Sequence, residues 1–150
     1  MARPMPLLFG VHAHQPECNF PEVLERAHAR CYRPFLEVLH SFPDFRFSVH
    51  FSGLLLDYLF ERHPKDMALL EEMVARGQVE MFGAGDAEPV LAAIPVRDRI
   101  GQLSRLSRKL EARFGQAPHG AWLTERVWEA TVVPALADYG FRYATVDDDH

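Results

Sequence analysis

The sequence predicts an α/β fold of parallel strands with outer helices, and three observations carry that prediction. Five short β-like runs recur along the 150 residues, helical apolar patterns separate them, and polar side chains gather where the runs end. The runs are LLFGVHA (7–13), FRFSVHF (45–51), QVEMFG (78–83), GAWLTE (120–125) and YATVDD (143–148). Strand, helix and strand in alternation imply right-handed βαβ crossovers, which put the helices outside the sheet. A closed β/α barrel takes roughly 250 residues. Five strands in 150 residues therefore read as the first part of a barrel, completed by a further C-terminal segment or by a second chain. No repeat, low-complexity tract or linker divides residues 1–150, so they are read as a single domain.

Each helix carries its own signals. Between the first two strands, PEVLERAHARCYRPFLEVLH (21–40) has helical spacing, and Pro34 is expected to kink or split it. LLLDYLFERH (54–63) and PKDMALLEEMVARG (64–77) form two helices, Pro64 opening the second and Gly77 closing it. Over 97–114, Ile100, Leu103, Leu106, Leu110 and Phe114 recur at three- and four-residue steps, with Gly115 as the stop. That helix is expected to expose Arg105, Arg108, Lys109 and Glu111. A last helix runs from about Thr131 to 139 and ends at Gly140.

Composition narrows the function. A chain 48% hydrophobic and 25% charged folds as an ordinary globular protein. A net charge of −5, with Lys and Arg scattered, argues against a nucleic-acid partner. No run reaches the roughly 18 apolar residues of a membrane span, and His12 and His14 interrupt the apolar N-terminal stretch before a signal peptide forms. Cys18 and Cys31, with no export signal, fit a reduced, cytoplasmic setting. No metal or cofactor is expected, and a homo-oligomer is compatible with the sequence.

In parallel β/α folds the working residues sit at the C-terminal ends of strands. His12 and His14 close the first strand and, two apart, share a face. Glu80 lies within the third, facing away from Val79 and Met81; burying an unpaired carboxylate is costly, so it needs a partner or a purpose. Glu125 ends the fourth strand, and Asp147, Asp148, Asp149 and His150 end the fifth. Taken alone, each has a plainer reading, as a structural histidine or a solvated turn; His50 reads as a core residue or a support behind the site. Together with Trp122 and Trp128 they suit a carbohydrate, whose faces stack on indoles and whose hydroxyls bind acids and imidazoles. Retaining glycoside hydrolysis needs two carboxyl groups about 5–5.5 Å apart, and Glu125 holds the nucleophile's position.

Three stretches, HAHQP (12–16), GQVEMFGAGDAEPVLAAIPVRDRIGQ (77–102) and WLTERVWE (122–129), closely resemble in order and spacing the first three motifs of glycoside hydrolase family 57. The resemblance implies a distorted (β/α)7 barrel, of which this chain supplies the first five βα units, acting on an α-glucan or maltooligosaccharide by a retaining mechanism. WLTERVWE looks most like the 4-α-glucanotransferase and α-amylase-like branch. By motif, Glu125 is the nucleophile and His12, His14 and Glu80 bind sugar near the cleaved bond. Gln15 shapes the first motif, Trp122 and Arg126 flank the nucleophile, and Trp128 and Asp148 line the substrate site. Asp86 and Ala87 stand where the family usually has aromatic residues, so a sugar platform is expected to be missing there. The family's acid/base aspartate belongs to a fourth motif beyond these residues, so residues 1–150 alone are expected to be inactive or nearly so. Two other readings stay open: a non-catalytic α-glucan-binding or assembly module, and a metal-dependent, polysaccharide-deacetylase-like hydrolase using His12, His14 and one of Asp147–Asp149.

Overall fold

The structure is a computed structural model that describes residues 5–147. Its five strands are β1 (Gly10–Ala13), β2 (Phe47–Phe51), β3 (Val79–Met81), β4 (Gly120–Ala121) and β5 (Tyr143–Ala144). All five predicted strands are present, each trimmed to the part that pairs. β1, β2 and β3 form one parallel ladder, with His12 opposite His50 and Ser48 opposite Glu80. β4 and β5 form a second parallel pair. Gly83 joins the two, donating to the Gly120 carbonyl at 2.9 Å and accepting from the Trp122 amide at 2.8 Å. The strands therefore run side by side in sequence order, as in a β/α barrel.

The helices are α1 (Pro21–Ala27), α2 (Arg33–His40), α3 (Gly53–Arg62), α4 (Pro64–Ala75), α5 (Val96–Phe114) and α6 (Val133–Asp138). The stretch 21–40 is divided as expected near Pro34, which stands in the first turn of α2, although helical backbone continues through the junction. A π-helical turn, His28–Tyr32, runs from α1 into α2 without leaving helical backbone, and the Arg33 amide reaches back five residues to the His28 carbonyl. The wider turn makes room for a ring that lacks an amide and would clash with the carbonyl one α-turn earlier. Gly77, Gly115 and Gly140 follow α4, α5 and α6 with φ of 74°, 70° and 80°, the left-handed stop that glycine adopts without strain.

Alternation along the strands sorts the side chains. Val11, Val49, Phe51, Val79 and Met81 face the helices and pack with Leu36, Leu55, Leu59, Leu70 and Met73 into the main core. The other face carries Gly10, His12, Ser48, His50 and Glu80. A second core lies behind β4 and β5, where Ala121, Leu123, Leu136 and Phe141 meet Leu103. α5 bridges the two, with Leu103 in one and Leu106 and Leu110 in the other.

Two expectations for α5 are corrected. Ile100 is exposed, and Arg99 occupies the buried stripe in its place, donating to the carbonyls of Ile94, Thr131 and Ala92 at 3.0, 2.7 and 3.0 Å. The helix starts against loop backbone there, which offers acceptors rather than an apolar surface. Lys109, expected to point into solvent, is ion-paired with Asp57 at 2.6 Å and Asp86 at 2.8 Å.

Candidate active site

The polar face of β1 and β2 ends in a stack of rings. His12 and His50, paired in register, bring their Nδ1 atoms to 2.8 Å, a distance at which one donates and the other accepts. Trp122, one step past β4, lies parallel to His12 with ring centroids 4.7 Å apart, and His14 lies nearly parallel to His12 at 6.1 Å. His50 is fully buried, and burial, followed by the nearby His12 and His14, lowers its pKa to about 3. Burial also lowers His12, His14 adds to the effect, and the Glu125 carboxylate opposes it. Both imidazoles are therefore neutral near pH 7, able to donate at one nitrogen and accept at the other.

A carboxylate that sequence reasoning passed over completes the cluster. Glu88, on the loop after β3, places its oxygens 3.3 Å from His14 Nδ1, 3.3 Å from His50 Nδ1 and 3.7 Å from His12 Nε2, with 4% of its side chain exposed. Burial, reinforced by the charge of Glu125, pushes its pKa up to about 7. The only signal in the sequence was its place inside the second motif, just before Pro89, since loop residues carry no periodicity. His12, His50 and Glu88 each offer a ligand atom within 4.8 Å of the others, so this triple could hold a metal ion.

Glu125 stands in a short 3-10 turn, Thr124–Arg126, at the end of β4. Glu88, Glu125 and Arg126 have φ of 51°, 54° and 55°, the left-handed region that non-glycine residues rarely enter. Such backbone costs on the order of 1–3 kcal/mol per residue and persists where surrounding structure imposes it. Glu88 and Glu125 are thus both carried on strained backbone. Arg126 is ion-paired with Asp147 at 2.7 Å, tying the turn to the end of β5.

The remaining predicted residues fall elsewhere. Gln15 is held at both ends, donating to the Tyr32 hydroxyl at 2.9 Å and accepting from Asn19 at 2.6 Å, which fixes the loop after β1. Glu80 does face away from Val79 and Met81, yet it does not join the imidazoles. It lies level with Ser48, one pleat repeat of about 6–7 Å below His50, and accepts a hydrogen bond from the Tyr143 hydroxyl. Trp128 packs against the second core. Asp148 lies outside the described residues. Asp86 is a buried structural residue: its carbonyl accepts from the Gly53 amide at 2.9 Å and its carboxylate faces Lys109. A side chain on Gly53 would place its Cβ 1.9 Å from Asp86 Oδ1, so glycine is what lets α3 start here.

A parallel β/α sheet with histidines, tryptophan and two strained carboxylates at its C-terminal end has the outline of a carbohydrate-active barrel. The chain matches the model for glycosyl hydrolase family 57 over residues 8–150 and belongs to that family. It is 46% identical over 143 residues to the 4-alpha-glucanotransferase of Thermococcus litoralis, an alignment covering 95% of this chain and 22% of that enzyme. Identity and coverage are the same for the alpha-amylase of Pyrococcus furiosus. The crystal structure of the Thermococcus litoralis enzyme superposes with a TM-score of 0.92 over 95% of this chain and 23% of the enzyme. That of the alpha-amylase AmyC from Thermotoga maritima gives 0.76 at 17% identity, over 93% of this chain and 39% of AmyC, a likeness of fold alone. The expected architecture therefore holds: the strands and helices correspond to the first units of a (β/α)7 barrel. The chain spans about a fifth of the length of the curated relatives it matches.

Proposed function

We propose that this chain carries the nucleophile-bearing part of an α-glucan-active retaining glycosidase or 4-α-glucanotransferase, with Glu125 as the nucleophile. The observation that carries the reading is the position of Glu125: strained backbone holds it at a strand end, within electrostatic reach of His12 and Glu88, in a chain of family 57. In a retaining reaction a Glu125 oxygen attacks the anomeric carbon as the glycosidic C–O bond breaks, and an acid protonates the departing oxygen. Water or the 4-hydroxyl of a second glucan, losing its proton to the same acid/base, then attacks the anomeric carbon and releases Glu125 as a carboxylate, giving hydrolysis or transfer. His12 and His14 bind hydroxyls beside the cleaved bond, Trp122 backs them, and Glu88 holds the imidazoles in place. The acid/base is the aspartate that the family carries further along. A proton donor of that kind is worth about 10²–10⁴ in rate.

Glu125→Gly in the full chain tests the assignment. Turnover of maltooligosaccharides should fall to background while substrate still binds. Added azide should then restore cleavage and give the glycosyl azide of inverted configuration, because the small anion fills the space the carboxylate leaves. Normal turnover by the variant would remove Glu125 from the role. A metal-dependent hydrolase is the second reading, given specific footing by the ligand-capable His12, His50 and Glu88. Glucan turnover that survives exhaustive chelation, and is lost in Glu125→Gly, favours the glycosidase.

A further inference from the structure

We propose that Glu25, His28 and His63, with Asp66 beside them, form a binding site for a divalent transition-metal ion of the zinc class in the outer helical layer. The inference rests on residues that the glycosidase reading does not use, and it stands or falls independently of it.

Four side chains converge from separate stretches of chain: Glu25 from α1, His28 from the π-helical turn, His63 from the junction of α3 and α4, and Asp66 from the first turn of α4. The two imidazoles lie face to face, ring centroids 3.4 Å apart and 14° from parallel. The ligand atoms of Glu25, His28 and His63 all lie within 4.8 Å of one another. Each Nε2 has its own carboxylate oxygen, His28 to Asp66 at 2.8 Å and His63 to Glu25 at 3.3 Å.

Both Nε2 atoms are buried and face those carboxylate oxygens, and the His28 side chain is 2% exposed. Two buried imidazole nitrogens, each beside a carboxylate and all within 4.8 Å for the Glu25, His28 and His63 set, describe the donor set of an ion. Protons satisfy the pair poorly, because two imidazolium rings stacked 3.4 Å apart would repel. Two nitrogens with one or two carboxylate oxygens select zinc, cobalt or nickel over calcium or magnesium, which take oxygen ligands. The carboxylates are themselves anchored, Glu25 by the Tyr58 hydroxyl and Asp66 by Arg33 Nε at 3.1 Å. Such outer partners fix ligand orientation.

The ion would pin the π-helical turn to the start of α4. Tyr32, the last residue of that turn, holds Gln15 in the loop after β1. Occupancy therefore reaches the strand-end loops through one hydrogen bond.

The test is titration of the chelator-stripped full chain with Zn2+ by calorimetry and with Co2+ by visible absorption, for wild type, His63→Ala, Glu25→Gln and Glu88→Gln. One ion per chain is expected, with the intense d–d bands of four-coordinate cobalt. Affinity should weaken by at least about 10- to 100-fold in His63→Ala and Glu25→Gln, the loss that removing even an outer-shell partner causes, and should be unchanged in Glu88→Gln. Zn2+ should raise the Tm of wild type and Glu88→Gln only. Glu25 is half-exposed, so its isosteric variant keeps the test decisive if His63→Ala fails to fold. Absence of binding by wild type, affinity unchanged in Glu25→Gln, or loss in Glu88→Gln alone, which would put the ion at the strand ends, overturns the proposal.

Discussion

Glu88 shows how one side chain couples the site to pH. Burial first, and the charge of Glu125 second, lift its pKa from 4.5 to about 7, so the folded chain keeps a proton that the unfolded chain has lost across that interval. Stability from this group is therefore full below pH 4.5, declines as pH rises and stays reduced above 7, by an upper bound on the order of 3 kcal/mol. His50 acts on the opposite flank: its pKa falls from 6.5 to about 3, so its contribution is present above pH 6.5 and is lost as pH drops toward 3. Glu88→Gln removes the first effect, and its Tm should exceed that of wild type above pH 7, with the gap closing below pH 5. Parallel Tm–pH curves for the two proteins would show that Glu88 ionises normally.

At the scale of elements, polar residues fix the joints that apolar periodicity leaves undefined. Arg99 gathers three loop carbonyls at the start of α5 and ties the segment after Glu88 to the start of α6. Arg99→Met keeps the length and apolar stem of the side chain and leaves those acceptors unpaired; we expect a loss of about 2–4 kcal/mol, read from the urea midpoint. Arg99→Lys should recover little of it, since an ammonium cannot span three acceptors as the planar guanidinium does. Gln78 plays a similar part below β3, its amide donating to the carbonyls of Leu39, Phe42 and Phe45 at 2.9, 3.0 and 3.1 Å. Both residues fall in the motif-bearing stretch 77–102, and their work is architectural.

For the whole molecule, the seam between β3 and β4 decides whether the strand-end residues share one site. Gly83 forms that seam, and a Cβ there would stand 2.6 Å from the Phe141 ring and 2.8 Å from Pro118. Gly83→Ala should cost about 1–3 kcal/mol through overpacking and shift Trp122 relative to His12. Thermal unfolding measures the first and the change in tryptophan fluorescence the second. An unchanged Tm would mean that Phe141 yields freely. Among the described residues no helix is long and apolar enough to cross a membrane.

The sequence by itself determined the α/β class, the order of the five strands, the glycine and proline boundaries of the helices and the placement of His12, His14 and Glu125 near strand ends. Those properties are local, set by the period of apolar residues and the backbone preferences of two residue types. Tertiary structure alone decided that Glu88 joins the imidazoles while Glu80 pairs with Tyr143, that Asp86 supports α3, that Arg99 is buried and Ile100 is not, and that His28 meets His63. Each of these depends on contacts between distant stretches, or on left-handed backbone imposed from outside the residue, and neither leaves a periodic mark in the chain.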